Sequence, residues 1–455
     1  MSQKIHIISI FHLFLIIKDS FSIIISIKEN YPLFNFSNII PYYTSAQFYS
    51  ILELGSPIQK VLLLLSLREN SFYLDKIGNY NKISGIISQY DYNQSNTCEQ
   101  LTKFDQSYGN YKKGSFIRDI FYFIDNLKEL KKSIYKNITF FLSTEKDINL
   151  SFTAGIGLQK KPKDKGFLDA LKDANCIETH DWILNYTNNK NNEGNEEVFL
   201  IIGKKPHEYY PQYYSENQLM QMNSYCSVTF LKWGILFNKI YINEQSFNDL
   251  LDSEINFNYN SIIIPNDYWD YISKNYFNEY INLNICSIII NEDKMRYFTC
   301  DKTKFNGKDI SKAPIIYFYS VQFKYNFEIR GEDLFELKND KYYFLLFSQT
   351  FTFSWILGKP FFKKYPFLYN IESRTISFYN PNIPYQSPND KNEYKMNYNY
   401  ILIIVILCFI ITLIMVHYLI ILGKRHRQRK IRSNELEDEF VYKPSQDKNI
   451  DSINK

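Results

Sequence analysis

The chain has 455 residues, long enough for two or three compact units. Its 45% hydrophobic and 22% charged residues exclude a wholly disordered chain and a polytopic membrane protein. The net charge of +4, most of it in the C-terminal tail, is no footprint of a nucleic-acid binder.

Residues 1–22 carry Lys4, then an apolar stretch from Ile7 to Ile17, then Lys18, Asp19 and Ser20. The stretch is too short to cross a bilayer as a helix, and the pattern predicts a secretory signal peptide cleaved near Ser20 to Ser22, with an N-terminal anchor or a core segment as the alternative. From about residue 43 to 380 the pattern is one of short strands rich in Ile, Phe and Tyr: QFYSILEL, KVLLLLSL, FLIIG, WGILFNKIYI, NSIIIP, PIIYFYSVQF and RTISFYN. Predicted helical stretches are few, with Phe167 to Asn175 and Asp267 to Tyr276 the foremost, and Asn188 to Glu197 reads as a polar loop. The predicted fold is therefore all-β, and its size calls for two lobes.

Ile401 to Leu422 contains no Lys, Arg, Asp or Glu and is long enough, at helical rise, to span a bilayer. Tyr398 and Tyr400 precede it, and Lys424, Arg425, Arg427, Arg429, Lys430 and Arg432 follow, which predicts a type I orientation with a cytosolic tail. The expected localisation is the secretory pathway, as a single-pass protein of the plasma membrane or an endomembrane. Cys98, Cys176, Cys226, Cys286 and Cys300 lie in the ectodomain and Cys408 in the span. Cys286 and Cys300 flank the run SIII and a short charged loop, which makes them the best disulfide candidates in an oxidising compartment. Sequons at Asn35, Asn93, Asn137, Asn149 and Asn185 fit a lumenal fate. The resulting division is 1–22 signal peptide, 43–205 first lobe, 206–382 second lobe, 383–400 juxtamembrane linker, 401–422 transmembrane helix and 423–455 cytoplasmic tail.

Three stretches carry a resemblance. In residues 47–74 (QFYSILELGSPIQKVLLLLSLRENSFYL), Gly55, Ser56, Pro57 and Gln59 match a Gly-Thr-Pro-x-Gln turn between two strands. Residues 233–243 (WGILFNKIYIN) and 355–380 (WILGKPFFKKYPFLYNIESRTISFYN) follow at matching separations. Together they resemble the pepsin-like aspartic proteases over nearly the whole ectodomain. Tyr108 and Gly109, with Gly114 after them, resemble the flap over the substrate cleft. Ala154 to Leu158 resembles the segment completing the first lobe's central loop, and Pro314 to Phe318 a later second-lobe strand. The resemblance implies a bilobal fold of two β-barrel-like lobes with a cleft between them, no cofactor and no metal.

It also implies a pair of Asp residues, one per lobe, sharing a proton (the handling of such a pair in aspartic proteases is a standard example). Counted from the turn, the first position is Ser66, followed by Leu67 and Arg68 where the family has Thr and Gly. Counted without gaps from Trp233, the second is Asn258; an alternative register uses Asp252. No Asp or Glu occurs between Gly55 and Arg68, and Glu69 is three positions too late. Only His180 and His207 follow the predicted leader within the ectodomain, so a Ser-His-Asp triad or a zinc site has little to build from. About twenty residues separate the leader from the first predicted strand, short for a propeptide. The expectation is a pseudoprotease that binds a peptide or protein in its cleft, by strand-like pairing, without cutting it. An active endopeptidase with a non-standard dyad is the alternative, and a structural or adhesive surface protein a third reading. The sequence leaves the oligomeric state open.

Overall fold

The computed structural model describes residues 22–30, 40–66, 72–75, 90–104, 106–108, 111–126, 131–144, 155–159, 165–188, 196–224, 232–247, 251–291, 294–350 and 354–384, with helical residues at 415, 417–418, 420–425 and 428. The predicted leader and most of the predicted span, 401–414, lie outside the described residues, and among the described residues no helix is long and apolar enough to cross a membrane. Residues 1–385 form one unit and 386–455 another.

The strands named from the sequence form where the side-chain alternation puts them. In Gln59–Ser66, Val61, Leu63 and Leu65 are buried on one face and join the main core. In Thr375–Tyr379, Ile376 and Phe378 do the same. The helix Phe167–Asp173 buries Phe167, Leu168, Ala170 and Leu171. The second predicted helix extends further than expected, from Asn266 through a five-residue π-helical turn, Ser273–Phe277, to Asn282.

Among the described residues, three sheets organise the unit. The largest runs in the order Leu219–Asn223, Thr375–Tyr379, Leu368–Asn370, Asp181–Asn188, Glu196–Ile202, Ile23–Asn30, Gln47–Leu54, Gln59–Ser66, Gly155–Gly157, Phe72–Asp75, Lys131–Ser143, Tyr111–Asn126 and Glu99–Gln100. Its first half is a shared sheet, because strands from both ends of the chain pair there. The second lobe holds a nine-stranded sheet and a four-stranded sheet, the latter built from Gln245–Phe247, Lys239–Ile242, Ile316–Ser320 and Tyr325–Ile329. One apolar core continues through both lobes, from Ile117 and Phe121 to Ile240 and Phe318.

Two boundaries differ from the sequence reading. The first strand is Ile23–Asn30, pairing Ile23 with Ile202 and Lys28 with Tyr49, so the residues read as a spacer after the leader enter the shared sheet. The hairpin Leu368–Tyr379, read as the end of the second lobe, pairs with Asp181–Ile183 of the first-lobe half of the chain.

Candidate functional site

The first central loop is set by the turn at Gly55. This residue takes φ +80°, and a Cβ would stand 2.9 Å from Ser95 Oγ. Gln59 explains the glutamine of the turn motif: its amide donates to Asp91 O and accepts from Asp91 N, both at 2.8 Å. The strand Gln59–Ser66 then runs parallel to Gly155–Gly157, with Leu64 opposite Gly155 and Ser66 opposite Gly157. Leu158 N donates to Ser66 O at 2.8 Å. On its other side Gly155 meets Tyr73 of Phe72–Asp75. Arg68 and Glu69, between these strands, lie outside the described residues.

The second lobe repeats the arrangement. Ile356 in Trp355–Leu357 lies opposite Glu254 on one side and Ile263 on the other. Superposing the two ladders puts Gly155 on Ile356, Leu64 on Glu254 and Tyr73 on Ile263. Ser66 then falls on Asn256, whose N donates to Leu357 O at 2.9 Å. A Cβ on Gly358 would lie 2.1 Å from Ser261 O and 2.4 Å from Tyr259 O, so the glycine lets this loop fold back onto its neighbour. The ladder therefore carries the matched position two residues before Asn258. An ungapped count passes any difference in the hairpin after Trp233 straight into the loop, whereas strand register does not. Asn258 is exposed, and its O accepts from Ala46 N at 2.8 Å. Asp252, the alternative acid, sits opposite Leu236 within the strand, four residues ahead of Asn256.

Asn256 is buried, and the residue after it, Phe257, is packed in the apolar core. Asn256 is 6% exposed, and its Oδ1 accepts from Asn258 N at 3.1 Å. Phe257 is 3% exposed, with ring centres 4.7 Å from Phe362, 6.0 Å from Tyr369, 6.2 Å from Trp182 and 6.4 Å from Phe48 of the first lobe. Trp233 Nε1 donates to Leu158 O at 3.2 Å, which ties the opening of the second lobe to the first central loop. Glu254 lies two residues before Asn256, on the same strand face, and is ion-paired with Lys232. The sequence reading missed Asn256, Phe257 and Glu254. The spacing that finds them is the repeat itself, since Ser66 precedes Phe72 as Asn256 precedes Ile262.

A serine hydroxyl and an asparagine amide accept and donate hydrogen bonds, but neither changes its protonation state near neutral or acidic pH. Among the described residues no cluster of His, Cys, Asp and Glu is arranged to hold a metal ion. In the segment that resembles a flap, Gln106–Tyr108 pairs with Tyr111–Asn126, bringing Tyr108 opposite Tyr111, while Gly109 is outside the described residues. A cavity of about 460 Å³ adjoins the second loop, lined by Tyr42, Asn260, Phe335, Glu336, Leu345 and Lys359 among others. Asn260 Nδ2 donates to Tyr42 O at 3.1 Å, and its buried Oδ1 takes no hydrogen bond from the described residues.

The remaining predicted sites are dispersed. Cys286 and Cys300 form a disulfide across a directly opposed strand pair. Among the described residues Cys98 and Cys176 are free thiols, and burial pushes the Cys176 thiol up to about 11; Cys226 and Cys408 lie outside the described residues. Asn93 and Asn137 are exposed, and Asn185 is half-buried opposite Phe199. Asn35 and Asn149 are outside the described residues. His180 and His207 stand in separate settings, the first between Asp169 and Glu372, the second against Tyr379.

No protein-family model matches the sequence, and no curated protein matches it. Solved structures do. Conglutin gamma, a basic 7S globulin from lupine seeds, superposes with a TM-score of 0.53 at 10% identity, covering 79% of this chain and 95% of its own. Basic 7S globulin from soybean gives 0.54 at 11% identity, with the same coverage of 79% and 95%. At such identities the likeness establishes the fold, which is mostly β and bilobal in the pepsin-like manner.

Proposed function

We propose that the protein is a pepsin-like pseudoprotease of the secretory pathway, anchored as a type I membrane protein, that holds an extended peptide or protein segment in its cleft without cutting it. What supports this reading is the matched register of two loop positions, Ser66 and Asn256, both neutral, at the positions that the pepsin-like resemblance assigns to a pair of carboxylates. Glu254 does not replace them, because its carboxylate is engaged by Lys232. Phe257 supports the same reading: with Trp182, Phe362 and Tyr369 it packs the floor between the loops with aromatic rings. Binding needs no acid, since exposed strand edges supply main-chain hydrogen bonds.

The test is cleavage of a broad peptide library by the full chain in detergent from pH 3 to 7, with and without a transition-state mimic that clamps between paired Asp residues. No turnover, with library peptides retained on the immobilised protein, is the expected result. Inhibitor-sensitive cleavage would overturn the reading. Anchoring is tested separately: the full chain is expected to stay in the membrane fraction after alkaline carbonate extraction, and a chain lacking 401–422 to leave it.

A further inference from the structure

A cluster of charged groups outside the cleft joins three elements. His180, 5% exposed, ends the loop before the strand Asp181–Asn188. Its Nδ1 lies 3.0 Å from Glu372 Oε2, in the turn of the C-terminal hairpin, and its Nε2 lies 3.2 Å from Asp169 Oδ1, on the helix Phe167–Asp173. Lys172 of the same helix reaches Glu372 Oε2 at 2.9 Å. Ile371 N donates to His180 O at 3.3 Å, so the backbone of the hairpin turn is tied to the same residue. The next acid along the strand, Asp181, is engaged by Asn370 Nδ2 at 2.8 Å.

We infer that His180 is a pH-operated clasp: as an imidazolium between Asp169 and Glu372 it fastens the C-terminal hairpin to the first-lobe helix, and on losing its proton it loosens that hairpin. A neutral imidazole can donate from one nitrogen only, so it cannot satisfy two carboxylates at once. The alternative, a histidine that is simply a buried spacer, does not account for an anionic partner on each ring nitrogen.

The sign of the effect follows from the groups present. Burial works against the charged ring, and the Lys172 ammonium does too, but the carboxylates of Asp169 and Glu372 outweigh them and raise the His180 pKa above its ordinary value. Its stabilising effect is therefore full below about pH 6.5, the unfolded value, and fades as pH rises through the folded one. Lys172 and His180 together hold the Glu372 carboxyl down to about 2, so that contribution is full above the ordinary carboxylate range and fades only in strong acid. The clasp is closed between these limits, in the range of mildly acidic secretory compartments. The hairpin it holds contributes two strands to the shared sheet, which makes this a lever on how the second-lobe end of the chain is docked.

The experiment is amide hydrogen exchange on the full chain at pH 5.5 and pH 8.0, corrected for intrinsic rate and read over Leu368–Tyr379. The wild type is expected to protect this hairpin at least several-fold more at pH 5.5, with little change in the Cys286–Ile290 hairpin as an internal reference. His180→Gln should abolish the difference. Glu372→Gln, at an exposed position, should shrink it without disturbing the fold, and so keeps the test valid if the histidine variant does not fold. Equal pH dependence in the wild type and Glu372→Gln, or no pH dependence in the wild type, would overturn the proposal.

Discussion

Asn256 is a buried neutral group next in sequence to the aromatic cluster around Phe257, and replacing it with an acid is the sharpest single-residue experiment. A carboxylate there would be desolvated beside the Glu254–Lys232 pair, so its pKa would rise on folding. Asn256→Asp should therefore cost little stability at pH 4 and more at pH 7, a difference visible in urea midpoints. It should not restore cleavage alone, because Ser66 still supplies no partner acid; turnover by the single variant would contradict the assignment of Ser66. Phe257→Ala removes the ring that touches Phe48, Trp182, Phe362 and Tyr369. It should lower unfolding free energy by about 3–5 kcal/mol in denaturant titrations, the usual range for a buried aromatic. Ser66 was legible in the sequence because the Gly55 turn stands directly ahead of it. Asn256 was not, because its own strand starts after a hairpin whose length the sequence does not declare.

The elements themselves were largely readable. Runs such as KVLLLLSL and RTISFYN carry the strand alternation in their composition, and both are strands. What composition cannot state is which strands are neighbours. The shortest central strands, Gly155–Gly157 and Trp355–Leu357, are three residues each, too short for periodicity to define, yet each holds a loop together by pairing on both sides. Gly358→Ala is the element-scale test. Two backbone oxygens stand within 2.4 Å of the added carbon, and backbone cannot swing aside as a side chain can. The loss should be about 1–3 kcal/mol or more, with exchange protection falling first at Ile262–Ile264. The Cys286–Cys300 pair closes a short hairpin, 14 residues apart in sequence. Replacing both by Ala should cost about 2–3 kcal/mol from loop entropy, measured by thermal or chemical unfolding.

At the scale of the molecule, one core and one shared sheet run through both lobes, so the lobes should not melt separately. Calorimetry of the full chain is expected to show a single main transition for residues 22–384; two well-separated transitions would mean that the aromatic floor and the shared sheet contribute little. The sequence by itself determined the mostly-β class, the two-lobe scale, the turn that positions Ser66, and the Cys286–Cys300 pair, because each rests on local pattern or on residues close together in the chain. Tertiary structure alone decided that Ile23–Asn30 enters the shared sheet, that Asn256 rather than Asn258 matches Ser66, that Phe257 fills the floor between the loops, and that Asp169, His180 and Glu372 meet. Each of these depends on strand register or on contacts between residues far apart in sequence, and such pairings follow from how whole sheets pack, which no local stretch of chain encodes.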